Sequence, residues 1–305
     1  MESVEQGSVA RPAELQAARV MVTGATGQIG HFLLPRLVRD GHAVHAISRR
    51  RRDGADKVHW LLGDVAATGM SWPAVDVLIH AAPLRFLPAL LPDFLAKGGR
   101  RVICFGTTSR YSKAASGEAK EQAFAAEQIA AESKLAELCA AAQAPWTVFR
   151  PTLIYGAGLD RNVTVIARLI RRFGVFPLFG AAAGKRQPVH ADDLAAACVA
   201  ALSTPATFNA AYDLAGGETL TYRAMVERIF DAEGRTPRFI PVPLTAFRAA
   251  MWCVSRIPRF RDFNAEMARR MNEDLVFDSG DAVRDFGYAP RKFAPQPLGR
   301  YPVTP

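Results

Sequence analysis

Apolar and polar positions along this chain fall into short solid runs that alternate with longer periodic stretches. Val20 to Val22, Ala43 to Ile47, Val58 to Leu62, Val75 to Ile79, Arg101 to Phe105 and Trp146 to Phe149 have the length and content of buried strands. Between them lie stretches of helical period: Ile29 to Val38, Leu84 to Lys97, and an alanine- and glutamate-rich stretch from about Glu118 to Ala142. Pro35 lies inside the first and should kink it or shorten its regular part. Pro88 and Pro92 interrupt the second, and Gly98-Gly99 end it. Strands alternating with helices predict a parallel sheet with right-handed crossovers. Further on, Val163 to Phe173 is an amphipathic helix with Arg168, Arg171 and Arg172, and Phe176 to Gly180 leads a Gly/Ala loop. Asp192-Asp193 reads as an N-cap pair for a helix over Leu194 to Leu202. Thr221 to Glu233 is another helix, and Pro237 to Pro243 is extended. A helix runs on to about Asn272, and Leu275 to Phe277 and Asp278 to Phe286 are the last elements.

The first strand runs into Thr23-Gly24-Ala25-Thr26-Gly27-Gln28-Ile29-Gly30, with three glycines at three-residue spacing before a helix. Strand, glycine-rich turn and helix form the entry to a dinucleotide-binding fold. The turn must be tight, a phosphate must come close to the backbone, and the helix must pack close to its strand. The helix N-terminus then presents N–H groups and a positive dipole end to a pyrophosphate. The expected fold is α/β, a Rossmann doubly wound parallel sheet with a smaller C-terminal substrate lobe. The division expected is a loose polar tail over 1–17, the dinucleotide domain over 18–185, and segments over 186–305 that complete the sheet and form the lobe.

Composition narrows this. With 305 residues, half of them hydrophobic, the chain can bury a substantial core. No apolar run reaches the roughly 20 residues of a membrane span. Met1 to Gln16 has no apolar signal core. Cys104, Cys139, Cys198 and Cys253 are far apart and lack metal-ligand spacing, so they read as reduced thiols of a cytoplasmic protein, and no metal is expected. The net charge is +9, but basic residues are dispersed except for Arg49 to Arg52, and no nucleic-acid-binding signature accompanies them. An anionic cofactor and substrate account for part of the charge.

Arg49 to Arg52 also bears on the cofactor. The second strand ends in Ser48-Arg49-Arg50, where an acidic residue would bind a ribose 2′-hydroxyl. A hydroxyl and a guanidinium suit a 2′-phosphate, which favours NADP over NAD. A solvated loop is the plain alternative for this run.

More pieces follow in order: Gly63-Asp64-Val65, His80-Ala81-Ala82, Thr107-Thr108-Ser109-Arg110-Tyr111, Arg150-Pro151-Thr152-Leu153-Ile154-Tyr155-Gly156, Gln187-Pro188-Val189-His190-Ala191-Asp192-Asp193-Leu194 and Tyr212-Asp213-Leu214-Ala215-Gly216-Gly217-Glu218. With the glycine loop, this series resembles the extended short-chain dehydrogenases/reductases, the branch of NAD(P)-dependent epimerases and dehydratases. The resemblance implies that Gly24, Thr26, Gly27, Gln28 and Ile29 cradle the cofactor. It also implies that Asp64 contacts the adenine with Val65 beside it, that Ala81 and Ala82 line the cofactor, and that Pro151 approaches the nicotinamide.

The resemblance breaks at the family's Tyr-x-x-x-Lys pair, whose four-residue spacing puts a phenol and an ammonium on one helix face. Ser133-Lys134-Leu135 matches the lysine region, so the resemblance gives Lys134 the nicotinamide ribose, but Ala130 stands four residues before it. Thr107 or Thr108 falls at the position that holds the reacting oxygen. Tyr111 and Tyr155 are the candidate proton donors in place of the missing phenol, and packing or shaping the cleft is the plain role for both. On an Ala/Glu-rich helix, Lys134 has a plain role too, as a solvated partner of Glu137. Tyr155, Asn162 and Arg186 are the expected substrate contacts, Arg186 for a phosphate or carboxylate, with an ordinary surface arginine as its plain alternative. His190 is expected to be structural. Leu244 to Ile257, with Arg248 and Arg256, is too short to span a bilayer; it is expected to pack in the lobe rather than lie on a membrane surface. The alanine-rich helix offers a homodimer face.

Three functions fit these residues. The expected one is NAD(P)-dependent oxidoreduction or epimerisation of a polar small molecule, a nucleotide sugar among the candidates, with an atypical site in which Lys134 holds the nicotinamide ribose and Thr107 or Thr108 the reacting oxygen. Another is a non-catalytic NADP(H) sensor or structural subunit, which Ala130 favours. The third is attachment to a membrane complex through Leu244 to Ile257.

Overall fold

Seven parallel strands form the central sheet of the computed structural model, which describes residues 17–52, 57–67, 72–242 and 269–299. They are β1 (Arg19–Thr23), β2 (Ala43–Ser48), β3 (Val58–Leu62), β4 (Val77–His80), β5 (Arg101–Phe105), β6 (Trp146–Pro151) and β11 (Ala210–Leu214). Their order is β11-β6-β5-β4-β1-β2-β3, so the chain reverses direction across the sheet between β1 and β4. A crevice opens at such a switch point, beyond the C-terminal ends of the strands. Every residue of β4 and β5 is buried, which is why these strands read as solid apolar runs rather than alternating ones.

Helices α1 (Gln28–Arg39) and α6 (Ala191–Ser203) pack together on one face, and α2 (Leu87–Ala96) and α4 (Ala119–Ala141) on the other. Leu33 and Leu37, one turn apart on α1, are fully buried with Ile103, Phe149 and Leu194. Burying each such leucine contributes roughly 1.5–3 kcal/mol. On the opposite face, Leu78, Leu91, Val102, Leu135 and Val148 form the second core. Arg101 is fully buried where β5 begins. Its guanidinium donates to Thr147 Oγ1 (2.6 Å), the Ala201 carbonyl (3.0 Å) and Thr207 Oγ1 (3.1 Å), tying β5 to β6 and α6, and burial pulls its pKa down to about 10.

The remaining strands are short: β7 (Ile154–Tyr155), β8 (Phe176–Phe179), β9 (Lys185–Arg186), β10 (Val189–His190), β12 (Leu220–Thr221) and β13 (Phe239–Val242). With α5 (Val163–Phe173) and α7 (Tyr222–Ala232) they build the small lobe, whose core holds Ile166, Ile170, Phe176, Met225, Phe230 and Phe293. This core draws on residues from Tyr155 through Ala182, ahead of the boundary expected at 185. The other helices are α3 (Ser109–Ala114) and α8 (Gly280–Phe286). After α8, residues 288–298 run back across both lobes. Tyr288 Oη donates to the Ala215 carbonyl, the Arg291 guanidinium binds Asp192 and Asp193, the Phe293 N–H donates to Glu218, and the Leu298 N–H donates to Glu233.

Some local expectations shift. β4 is Val77–His80 rather than Val75 to Ile79. α1 continues through Pro35 to Arg39, and the helix expected over 84–97 is a single turn (Leu84–Phe86) followed by α2. The N-cap of α6 is His190, whose Nδ1 accepts the Asp192 N–H at 3.1 Å. Asp192 and Asp193 are instead first-turn acids, with Arg36 on Asp192 and Arg291 on both. Cys104, Cys139 and Cys198 are buried free thiols. Among the described residues no helix is long and apolar enough to cross a membrane, and no group of side chains could hold a metal. Met1 to Gln16, Leu244 to Ile257 and Cys253 lie outside the described residues.

Candidate functional site

The site begins with the three glycines, which are needed for different reasons. Gly24, in the left-handed region at φ +70°, sits against the Ala81–Ala82 backbone after β4, and a Cβ there would overlap it. A Cβ on Gly30 would overlap the backbone of Ala25. The fold alone therefore requires these two. Gly27 is different: a Cβ would approach only the Gly24 carbonyl, at 3.1 Å. The space over Gly27, at the start of α1, is where a phosphate would come close to the backbone. Gly27 caps α1 with no side-chain bond to its first turn. Ile29 is buried beneath the loop in the α1 core, and the amide oxygen of Gln28 is buried without a partner. The open backbone over Gly27 and the uncapped N–H groups of α1 thus fit a pyrophosphate there, while the Gln28 oxygen, an acceptor, offers a phosphate nothing.

Behind the loop, His80 is fully buried between the ends of β1 and β4. Its Nδ1 lies 2.7 Å from Thr23 Oγ1 and its Nε2 3.1 Å from the Pro83 carbonyl. A carbonyl only accepts, so Nε2 carries the hydrogen and Nδ1 accepts from Thr23. Burial pulls its pKa down to about 4. This neutral imidazole fixes the glycine loop against Ala81 and Ala82, and the Ala81 N–H donates to the Thr23 carbonyl (2.9 Å).

Two cavities flank the loop. The first, about 1120 Å³, is lined by Thr26, Ser48, Arg49, Arg50 and Arg52 on one side. Gly158, Arg168, Arg171, Arg172 and Leu298 line the other. Ser48 Oγ accepts the Arg50 N–H, while Arg49 is exposed at the cavity wall. Asp64 turns its carboxylate back onto the Ala66 N–H (3.0 Å) and Val65 packs against the α2–α4 core, so neither is among the residues that line this cavity.

The second cavity, about 600 Å³, is lined by Gln28, Thr107, Thr108, Asn162, Arg186 and others. Thr107 Oγ1 accepts the Ser109 N–H, and the buried Thr108 hydroxyl donates to the Pro151 carbonyl (3.2 Å) at the end of β6. Asn162 precedes α5, whose first turn is held by the Asp160 carboxylate on the N–H groups of Asn162 and Thr164. Arg186 is buried, and the acceptors of its hydrogen bonds are the carbonyls of Lys185, Glu273 and Arg270. Desolvation lowers its pKa, and its positive charge reaches the cavity with no carboxylate bonded to it. Arg161 and Arg270 line the same space, Arg270 paired with Glu121.

Three of the expected residues sit elsewhere. Lys134 faces outward, half exposed, and pairs with Glu137 at 2.7 Å; Ala130 is also exposed. The expectation that Lys134 would hold the ribose is therefore corrected: its side of α4 faces solvent. Tyr155 does not reach either cavity. It is fully buried, packed on His190 and Phe293, and its hydroxyl accepts the Ala294 N–H (3.1 Å). Tyr111 lines neither cavity; its hydroxyl donates to Asp213 (3.2 Å) and accepts from Arg150 (2.9 Å). Burial raises the Tyr111 pKa, which works against a phenolate.

The inward face of α4 carries a different pair. Gln128 and Glu132 are both buried, four residues apart. Glu132 accepts from Arg110 and from Arg150 (Nη2 at 2.6 Å, Nε at 3.1 Å). A Cβ on Gly106, just past β5, would stand 3.0 Å from the Glu132 carboxylate, so this glycine makes room for it. Burial pulls Arg150 down, but its bonds to Glu132 more than reverse that, and its pKa is raised. The sequence reading missed Gln128 and Glu132; their four-residue spacing was the available signal.

Residues 20–89 and 87–215 match the NAD dependent epimerase/dehydratase family. Among curated relatives, the chain is 28% identical over 167 residues to the NADH dehydrogenase [ubiquinone] 1 alpha subcomplex subunit 9 of Arabidopsis thaliana, covering 52% of this chain and 40% of that protein. It therefore spans less than half of that relative's length. It is 21% identical over 304 residues to the UDP-glucose 4-epimerase of Vibrio cholerae, covering 89% and 90%. Among solved structures, MoeE5 in complex with UDP-glucuronic acid and NAD has a TM-score of 0.69 at 18% identity, covering 90% of this chain and 94% of that one.

Proposed function

The chain belongs to the NAD dependent epimerase/dehydratase family, and from that premise we propose that it holds NADP(H) without the phenol–lysine proton relay, as a dinucleotide sensor or as a structural subunit of a complex. One observation carries the reading. The inward i, i+4 pair on α4 is Gln128 and Glu132, with Glu132 locked between Arg110 and Arg150, while Ala130 and Lys134 face solvent. A carboxylate engaged by two guanidiniums supplies no cation to a nicotinamide ribose, and an amide supplies no acidic phenol to a substrate oxygen. The open backbone over Gly27 at the uncapped start of α1 supports a dinucleotide there. Arg49 and Arg50 at the end of β2, where an acid would favour NAD, support NADP. The MoeE5 complex contains NAD, which is the alternative cofactor. The Arabidopsis relative's name is that of a subunit, which supports the structural form of the reading. The proposal keeps a cytoplasmic setting and a homodimer through the alanine-rich outer side of α4.

The second cavity favours a second reading, an oxidoreductase or epimerase acting on a nucleotide sugar. Thr107 and Thr108 stand beside Arg161, Arg186 and Arg270 there, hydroxyls next to cations that suit a phosphorylated substrate. The test loads nucleotide-stripped protein with NADP⁺ or NAD⁺ and adds UDP-glucose or UDP-glucuronic acid. Bound-nicotinamide absorbance and sugar NMR are then followed together. Retained cofactor with unchanged sugar and absorbance is the expected result. Nicotinamide reduction or a new sugar product overturns it in favour of the enzyme, and failure to retain either cofactor overturns both.

A further inference from the structure

Resting on the NADP reading, we propose that Arg168 and Arg172 of α5 form the second wall of a two-sided phosphate clamp. The adenosine 2′-phosphate would then be gripped by the small lobe as well as by Arg49 and Arg50. The first cavity carries the argument. Its lining takes arginines from two separate parts of the chain, Arg49, Arg50 and Arg52 after β2 and Arg168, Arg171 and Arg172 on α5, and among the described residues no carboxylate lines it.

Three of the six already have a partner in the protein, Arg172 among them through the ring of its neighbour Phe173. Arg171 bonds Glu233 at 2.8 Å and the Leu298 carbonyl, and Arg52 lies over the Trp60 ring. Arg49, Arg50, Arg168 and Arg172 have no ion pair with a carboxylate among the described residues. A solvated helix face usually mixes both signs, with acids spaced to pair with the bases. α5 contains no acid at all. The helix dipole rewards cations in its last turn, which covers Arg171 and Arg172 but not Arg168. Unpaired guanidiniums around one cavity repel each other until an anion enters. A phosphate monoester brings about two negative charges and three acceptor oxygens, which suits bidentate guanidinium forks from opposite sides. NADH, lacking that group, gains little from the α5 wall. The 2′-phosphate would thus join the dinucleotide domain to the small lobe.

The test titrates nucleotide-stripped, full-length protein with NADPH and with NADH, following reduced-nicotinamide fluorescence, for wild type, Arg49→Ala and the double variant Arg168→Ala/Arg172→Ala. The melting temperature of each nucleotide-free variant checks folding, and Arg168→Lys/Arg172→Lys keeps the charge while removing the fork. The double alanine variant should weaken NADPH on the order of tenfold and NADH by less than about threefold, with the lysine variant in between. If NADPH affinity is unchanged in the double variant but falls in Arg49→Ala, the α5 wall is refuted while the NADP reading stands. Equal losses for NADPH and NADH also refute it, because the wall would then serve the shared pyrophosphate. If wild type binds neither cofactor, the NADP reading itself fails.

Discussion

Arginines meet carboxylates very differently in two regions of this molecule. Around the first cavity, Arg49, Arg50, Arg168 and Arg172 line the wall, with no carboxylate beside them among the described residues. Behind Gly106, Arg110 and Arg150 converge on Glu132, and Arg150 also lies 3.8 Å from Asp213. The first region is an unneutralised positive wall that an incoming anion would complete. The second is complete in itself: its charges cancel within the protein and its hydrogen-bonding groups are engaged. A site that must pass protons to a substrate needs a group whose proton is not already committed. On the proposed reading, the contrast separates holding a ligand, beside the glycine loop, from transforming it.

The comparison can be broken most severely at Glu132. Glu132→Ala leaves Arg110 and Arg150 together in a mostly buried space, and breaking a buried ion pair from one side costs roughly 3–5 kcal/mol. Urea unfolding should show this loss. A change under about 1 kcal/mol would mean that water already screens the cluster, and the region would no longer count as self-contained.

A smaller effect sharpens the loop side. His80 is neutral, with its pKa lowered to about 4 from 6.5 by burial. The unfolded chain binds this proton more readily than the folded one. Stability is therefore fully present above about pH 6.5 and is lost as pH falls toward 4, by roughly 3 kcal/mol at the limit. His190 and His45 are also lowered by burial and add to the slope. Melting temperatures between pH 4 and 7 should fall with acid in the wild type, and less steeply in His80→Asn. Equal slopes would show that the imidazole is not what ties the loop to β4.

The smallest expected effect is at Lys134. Lys134→Ala removes an exposed pair with Glu137, worth under about 1 kcal/mol, and should leave NADPH affinity unchanged. A marked loss of affinity would return Lys134 to the ribose and undo the contrast between the regions.

The glycine loop and the sheet were legible because the glycine spacing and the solid apolar runs each lie within a short stretch of chain. Gly24 and Gly30 are forced by backbones a few ångströms away, and the central strands are buried on both sides. The face of α4 was not legible. Alanine occurs all around that helix, at buried positions 125 and 131 and at exposed positions 126 and 130, so no apolar stripe separates inward from outward. The inward polar residues, Gln128 and Glu132, go against the usual rule, and only Arg110 and Arg150 explain Glu132 there. Tyr155 misled for a related reason. Its burial depends on Phe293 and Ala294, more than 130 residues away in sequence, and no local pattern records that contact.

That late stretch also bears on how the molecule is made. A growing chain emerges from its N-terminal end, so residues 288–298 appear after every other segment described here. Until they do, Asp193 and Glu218 lack bonds from the Arg291 and Phe293 N–H groups, the Tyr155 hydroxyl lacks the Ala294 N–H, and Phe293 is missing from the small-lobe core. Tyr288 is likewise missing from the core under α1 and α6, so both lobes stay unfinished until this stretch emerges. A ribosome paused just before residue 288 would carry an intermediate in which the sheet core lacks Tyr288 and the small-lobe core lacks Phe293, the kind of species a chaperone binds.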